Sequence, residues 1–369
     1  MSGPTGGATT VPVVEEAHVP STAGWVARGL AVAFVAWLVF AMPVNALSPF
    51  TVAPFEANAI SEAVIFAIIG LSLNVLIGYA GSISIGHSAF VGIGAFTSAY
   101  VVTEMGQEFY LGVIVAAVFG GIQALVLGSV ALRVSGLYFA LVTLAYAEMT
   151  RNSFFNIESL TGGSAGQLAP RPTGFESDYR YYYLCLAGLA IVLFIDWRLT
   201  ATKAGRAMFA LRENPRVAQT WGINTKAFTV LSFVVSGFFA GIGGALLAHR
   251  DTAVVSNPFD FQLSLVFILM TVIGGLRNRA GVVVGAAFFA LLRNGVLIKL
   301  LGLGAPLSAI DITQEVAPLL LAPILLLLTL TVLPGGFGRL TSTVGRWMRG
   351  GRFRFEAAEK EVQIDDVRA

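Results

Sequence analysis

The stretch Leu199–Lys226, LTATKAGRAMFALRENPRVAQTWGINTK, is the one long, strongly charged interruption in an otherwise apolar chain. Lys203, Arg206, Arg212, Glu213 and Arg216 fall within one expected helix, which Gly205, Ala207, Ala210 and Ala218 keep slim. Asn214-Pro215 breaks it and Gly222-Ile223-Asn224 ends it. Apolar runs long enough to span a bilayer flank it on both sides. A basic, kinked helix between two spans belongs at the cytoplasmic face, where Lys and Arg accumulate. It offers a surface for a soluble partner, although residue counting alone fits an ordinary basic loop equally well.

Composition points the same way. The 369 residues are 56% hydrophobic and 12% charged, and the mean hydropathy is +0.78. A soluble domain carries about 25% charge, so most of this surface must meet lipid or other membrane helices. The net charge of +2 and the dispersed basic residues give no reason to expect nucleic acid. The single cysteine, Cys185, sits in an apolar run and reads as a small buried hydrophobe. No Cys/His cluster has metal-ligand spacing, so neither a metal site nor a catalytic residue is expected. The 41 glycines suit close helix contacts in a polytopic bundle.

The fold expected is all-α, with about ten spans: 28–47, 58–79, 84–104, 110–132, 136–152, 180–198, 226–249, 262–276, 280–300 and 314–333. The eighth is short and reads as tilted, partly buried or re-entrant. Residues 1–27 form a disordered cytoplasmic tail, 28–338 the transmembrane domain, and 339–369 a cytoplasmic tail whose arginines suit anionic lipid. With the 199–226 loop inside, only six of the 23 basic residues fall outside: Arg151, Arg171, Arg180, Arg250, Arg293 and Lys299. That asymmetry places both termini in the cytoplasm. Arg293 and Lys299 are expected to snorkel to headgroups.

Asn74–Tyr100, NVLIGYAGSISIGHSAFVGIGAFTSAY, is too rich in Gly and Ser for an unbroken helix. Broken backbone at membrane depth is tolerated where it is buried in protein or lines a cavity, and transporters aim such helix ends at substrate. The bland alternative is tight packing, with Ser88 and Gly92 four apart. His87 reads either as a hydrogen-bonded packing group or as part of the route. Tyr138 and Thr143 place hydroxyls in a later span, and Glu148 lies near that span's outer end. In the external loop 153–179, Thr161, Gly162, Gly163 and Gly166 suggest a nest of amides for an anion. Gly237, Ala240, Gly241 and Gly244 mark a close helix crossing.

These segments resemble a known family. Gly205, Arg206, Ala210, Arg212, Glu213, Asn214, Ala218, Gly222 and Ile223 follow G-R-A-x-x-A-x-R-E-N-x-x-x-A-x-x-x-G-I, similar to the coupling segment of LivM-type permeases of branched-chain amino acid ABC importers. Residues 78–95 resemble that family's G-Y-A-G-x-x-S-x-G-H-x-A-F-x-G-I-G-A, 135–145 its S-G-x-Y-F-A segment, and 161–166 its T-G-G-S-x-G, with Ala165 departing. Gly274–Ala286 resembles a further glycine-built stretch, from which Asn278 and Val283 depart. The resemblance spans roughly 60–340. It implies a permease subunit in a bacterial or archaeal plasma membrane. Its partners would be a LivH-type permease, two ABC ATPases that bind ATP, an extracytoplasmic solute-binding protein, and lipid. It assigns Asn74, Gly78, Tyr79, Gly81, Ser84, Gly86, His87, Tyr138, Thr143, Thr161, Gly162 and Gly163 to the substrate pathway. It assigns Gly205, Arg206, Ala210, Arg212, Glu213, Asn214 and Gly222 to coupling.

No Walker motif occurs, so ATP would be hydrolysed elsewhere, and this chain would carry no cofactor and be no enzyme. The substrate is read as a branched-chain amino acid, with urea, short amides or aromatic acids as alternatives. An ion-coupled secondary transporter needs mid-membrane ionisable groups, whereas Glu62, Glu148 and Asp196 fall near expected span ends. An intramembrane enzyme is poorly served by His18, His87 and His249.

Overall fold

Apolar residues surround the helix Pro54–Leu73 (α1) on every side, and a helix of that kind is stable only when enclosed or in lipid. Here it is enclosed. The computed structural model describes residues 28–30, 33, 54–134, 136–294, 296 and 336–348. The tail 1–27, most of the expected span 28–47, the span 314–333, Lys299, Leu333-Pro334-Gly335 and the residues after 348 lie outside the described residues.

After α1 come α2 (His87–Thr103), α3 (Phe109–Ala131), α4 (Leu137–Asn152), the single turn α5 (Glu158–Thr161) and α6 (Asp178–Ala201). Then follow α7 (Lys203–Glu213), α8 (Pro215–Thr220), α9 (Thr225–Asp251), α10 (Phe261–Gly274), α11 (Arg279–Arg293) and α12 (Gly336–Met348). Each expected span from 58–79 to 280–300 has a helix beneath it, the last ending at Arg293. Four described helices are long and apolar enough to cross a membrane: Ala57–Tyr79, Phe109–Ala131, Asp178–Ala201 and Thr225–Asp251. The eighth expected span is the 14-residue α10, about 21 Å at 1.5 Å per residue. It is short of a bilayer's hydrocarbon thickness.

The core lies where α1 packs against α6, α9, α10 and α11. On the periphery, α3 turns Ile114, Val118, Phe119, Ile122 and Val126 outward, and α6 turns out Ile191, Phe194 and Trp197. These apolar faces suit lipid contact. Small residues set the closest crossing. A methyl group on Gly237 would lie 2.2 Å from the Gly120 carbonyl oxygen, and one on Gly241 would lie 2.4 Å from that of Ala116. On the other side of α9, a methyl on Gly244 would meet the Val91 oxygen at 2.0 Å. With no hydrophobic effect between helices in lipid, such backbone proximity is what holds them. The glycine stripe read as packing is therefore packing.

One two-residue antiparallel ladder ties the loop before α6 to the loop after α9, pairing Gln167 with Val254 and Leu168 with Ala253. His249, fully buried, reinforces it. Its Nδ1 lies 2.7 Å from the Pro170 oxygen and its Nε2 lies 3.0 Å from Ser98 Oγ.

Candidate functional site

The basic stretch folds as two helices, not one. Pro215 has no N–H to continue α7. Asn214 turns extended and caps α8, its Oδ1 accepting from the amides of Arg216 at 3.0 Å and Val217 at 3.2 Å. Arg216 thus belongs to α8, apart from the other charges. Gly222, at φ +73°, ends α8, and Asn224 caps α9 through the Ala227 amide. Only Thr202 separates α6 from α7. Gly205 presses α7 onto the end of α6 so closely that a methyl there would lie 2.5 Å from Thr200 Cα. Gly205, Ala207, Met208 and Leu211 are buried and Ala210 is half-buried. Lys203, Arg206, Glu213, Arg216, Val217 and Trp221 are exposed, Trp221 by 80%.

Arg212 is half-buried. It turns inward and donates to the Gly78 carbonyl oxygen. A methyl on Gly81, itself at φ +73°, would lie 3.0 Å from Arg212 Cγ. Burial, followed by nearby Arg277, holds the guanidinium below its ordinary pKa, with Glu213 opposing them. Phe209, also on α7, meets the Tyr79 ring edge-on at 5.1 Å. Arg277 lies 5.0 Å over the Phe209 ring and pairs with Glu213 at 2.8 Å. The Arg277 amide donates to Asn74 Oδ1 at 2.8 Å. Asn74, Gly78, Tyr79 and Gly81, read as pathway, therefore join Arg212 and Glu213, read as coupling, in one cluster.

That cluster grips a distorted helix end. Asn74–Tyr79 forms a π-helical turn, a distortion common at functional sites. Non-helical backbone follows to Gly86, and α2 begins at His87. The break is buttressed: the Ile85 amide donates to Thr143 Oγ1 at 3.0 Å. Gly86 lies so near the Thr143 carbonyl that no side chain would fit, a methyl falling 1.9 Å away. Ser72 Oγ and His87 Nε2 are 2.5 Å apart, joining α1 to the start of α2. The Ser88 amide and hydroxyl both engage Ser264 Oγ, at 2.9 and 2.8 Å. Ser84, His87 and Ser88 are fully buried. The expected break at this stretch is present; Ser84 and Gly86 within it are buried, whereas Gly81 and Ile83 are exposed.

Other pathway residues lie elsewhere. Tyr138 is 75% exposed in the first turn of α4. Thr161, Gly162 and Gly163 lie in the loop before α6, at the end of that helix opposite α7. The anion nest expected there is corrected by its hydrogen bonds. The Gly162 amide donates to the Glu158 oxygen, that of Gly163 to Thr161 Oγ1, and that of Gly166 to the Gly163 oxygen. These amides close the loop's own turns.

Sequence reasoning missed two ionic clusters. Glu62 is buried, paired with Arg250 at 2.7 Å and Arg293 at 3.1 Å. Arg293 is therefore tied to a carboxylate instead of snorkelling alone. Asp196, also buried, accepts from Tyr79 and Arg279. Both carboxylates, read only as lying near expected span ends, are dry and paired, whereas Glu148 is partly exposed and 3.7 Å from Arg151. Asn278, read as a departure, caps α11 through the Gly281 amide and donates to the Gly338 oxygen at 2.6 Å. The Glu62 and Asp196 clusters join residues far apart in sequence, so no local pattern signals them.

A helical bundle with apolar flanks and a helix break at 80–86, gripped by an amphipathic helix at one end, is a multi-pass membrane permease body. More particularly, the chain belongs to the family described as branched-chain amino acid transport system / permease component, whose profile matches residues 56–330. It is 29% identical over 274 residues to the high-affinity branched-chain amino acid transport system permease protein LivM of Escherichia coli (strain K12), covering 67% of this chain and 64% of that protein. The chain thus spans somewhat under two thirds of that relative's length. The probable branched-chain amino acid transport permease protein LivH of Methanocaldococcus jannaschii is 31% identical over 146 residues, 38% of this chain and 44% of the relative. The galactose/methyl galactoside import permease protein MglC of Haemophilus influenzae is 28% identical over 132 residues, 34% of this chain and 38% of the relative. No solved structure matches the chain.

Proposed function

We propose that this chain is the LivM-like membrane subunit of an ATP-driven importer of branched-chain or related hydrophobic amino acids. Two ATPase subunits bind and hydrolyse ATP, a LivH-type permease completes the pathway, and an extracytoplasmic binding protein delivers the solute. The chain itself needs no cofactor. The α7–α8 end faces the cytoplasm, and both termini lie on that side. The supporting observation is the cluster joining α7 to the π turn: Arg212 on Gly78, Phe209 on Tyr79, and Arg277 bridging Glu213 and Asn74. A force applied to α7 reaches the broken span without an intermediary. ATP binding in partner subunits supplies the differential interaction that a two-state switch requires.

Because Arg212 is engaged internally, the docking face is the other one, made of Arg216, Val217 and Trp221. Val217 and Trp221 are 50% and 80% exposed. A large aromatic presented beside charge is a typical binding anchor. The test is co-purification of the ATPases with the permease pair, followed by uptake of radiolabelled leucine into vesicles containing ATP. Trp221→Ala with Arg216→Glu is expected to lose the ATPases and the uptake. Unchanged co-purification and uptake would remove this docking face.

Sugars are a second cargo reading, favoured by the partial match to a galactose permease. Galactose uptake that outcompetes leucine would establish it. An ion-coupled carrier is disfavoured because Glu62 and Asp196 are each paired with arginine.

A further inference from the structure

Asp196 is a fully buried carboxylate near the end of α6, and three elements converge on it. Its Oδ2 accepts from the Tyr79 hydroxyl at 2.9 Å and from Arg279 Nε. Arg279 also donates to Thr200 Oγ1, and to the Asp196 carbonyl oxygen at 3.4 Å. Tyr79 closes the π turn and Arg279 opens α11. The carboxylate therefore ties α6, the broken span and α11 together.

Packing alone could hold three helices together, often at no loss of stability relative to a buried ion pair. An ionic joint adds a fixed register between its members. Oδ1 is buried and meets no hydrogen-bond donor among the described residues. The position is also mechanically exposed. Thr202 alone separates α6 from α7, and Gly205 locks α7 against Thr200. Any tilt of α7 drags the last two turns of α6, which carry Thr200 and Asp196. The π turn is then held by two arms, Arg212 from α7 and Asp196 from α6. Beyond it, Ser72 is hydrogen-bonded to His87 at the start of α2.

We propose that Asp196 is a positioning residue, transmitting displacement of the α7–α8 end to the broken span through Tyr79 and to α11 through Arg279. This rests on the importer reading given above. The test reconstitutes the complete complex in vesicles and measures leucine imported per ATP hydrolysed. Asp196→Asn is expected to keep ATP hydrolysis within about twofold while lowering leucine per ATP about tenfold, the scale of one charge-assisted contact. Tyr79→Phe removes only the hydroxyl contact and is expected to lower the same ratio about fivefold, the scale of one net hydrogen bond. It also serves should the Asn variant assemble poorly. An unchanged ratio in Tyr79→Phe, or uptake and hydrolysis falling in parallel with the amount of assembled complex, would overturn the relay and leave Asp196 a structural tie. Absence of ATP-dependent uptake by the unaltered complex overturns the importer reading and the relay with it.

Discussion

The Glu62 cluster allows a quantitative comparison inside one molecule, because its two arginine arms differ in burial. Glu62 has 5% of its side chain exposed, Arg250 has 10% and Arg293 has 46%. Arg250 approaches Oε2 at 2.7 Å and also donates to Asn58 Oδ1 at 3.0 Å. Arg293 reaches Oε1 at 3.1 Å from a half-wet position over the Phe66 ring. Breaking a buried pair leaves an uncompensated charge and costs about 3 kcal/mol or more. A partly exposed pair contributes about 0–1 kcal/mol. Arg250→Ala is therefore expected to destabilise by about 3 kcal/mol and Arg293→Ala by about 1 kcal/mol or less. Glu62→Gln should fall between them, since Arg250 keeps Asp251 at 2.9 Å as a second partner. The chain's single cysteine, Cys185, is buried. A maleimide dye that fluoresces on thiol reaction will report unfolding of the detergent-purified protein without further labelling. Raising salt should barely change the Arg250 effect, because buried pairs are poorly screened. If Arg293→Ala proves as harmful as Arg250→Ala, burial is not what grades these contacts and the reasoning fails.

Other sites give shorter tests. Gly237→Leu must push α9 off α3, since even a methyl there would lie 2.2 Å from the Gly120 oxygen; gel filtration should show little monodisperse protein. Gly345→Ala, in α12 with nothing within 4 Å of the added carbon, should instead stabilise by about 0.5 kcal/mol in the same dye assay. Thr143→Val keeps the shape but removes the acceptor for the Ile85 amide. It should cost about 1 kcal/mol and raise hydrogen–deuterium exchange across residues 80–86, and exchange identical to the parent would refute the buttress. Asn278→Ala loses both the α11 cap and the link to the Gly338 oxygen. A loss of about 1–2 kcal/mol should appear as a lower unfolding midpoint.

Much of the fold was legible because a membrane simplifies the code. Apolar runs of span length, such as those under α3 and α9, need no partner to be recognised. The glycine stripe of α9 was equally plain, its four-residue spacing being the signature of close approach. The break before α2 could be read from Gly and Ser density, although the π turn preceding it could not, because a π bulge leaves no periodic mark. The charged residues were misread most. Glu62 and Asp196 sit near span ends in sequence, where solvation is the default assumption. Their partners lie 188 residues (Arg250) and 83 residues (Arg279) away, so only folding reveals that both carboxylates are dry and paired. Arg212 reads as a coupling residue from its neighbours in the motif; that its side chain turns in to Gly78 is visible only in the fold.

These corrections converge on α1. Glu62, in the first half of α1, holds the ends of α9 and α11 through Arg250 and Arg293. The π turn at its other end is held by Arg212 and, through Tyr79, by Asp196. From Glu62 to Tyr79 is 17 residues, about 26 Å at 1.5 Å per residue. Between these ionic ends the helix is buried and apolar, and its main polar contact is Ser72 with His87. A helix held by charge at Glu62 and at its π turn and packed in apolar side chains between them rotates or slides as a unit far more cheaply than it bends, because its own hydrogen bonds have no water to replace them. The π turn is the exception, a place where the helical ladder is already loosened. It coincides with the attachment point of α7. On the importer reading proposed above, motion delivered there would divide between a stiff axle and one yielding turn, and that turn adjoins the break that leads to His87. That placement is why residues assigned from sequence to two separate tasks, gripping and conducting, form one contiguous site.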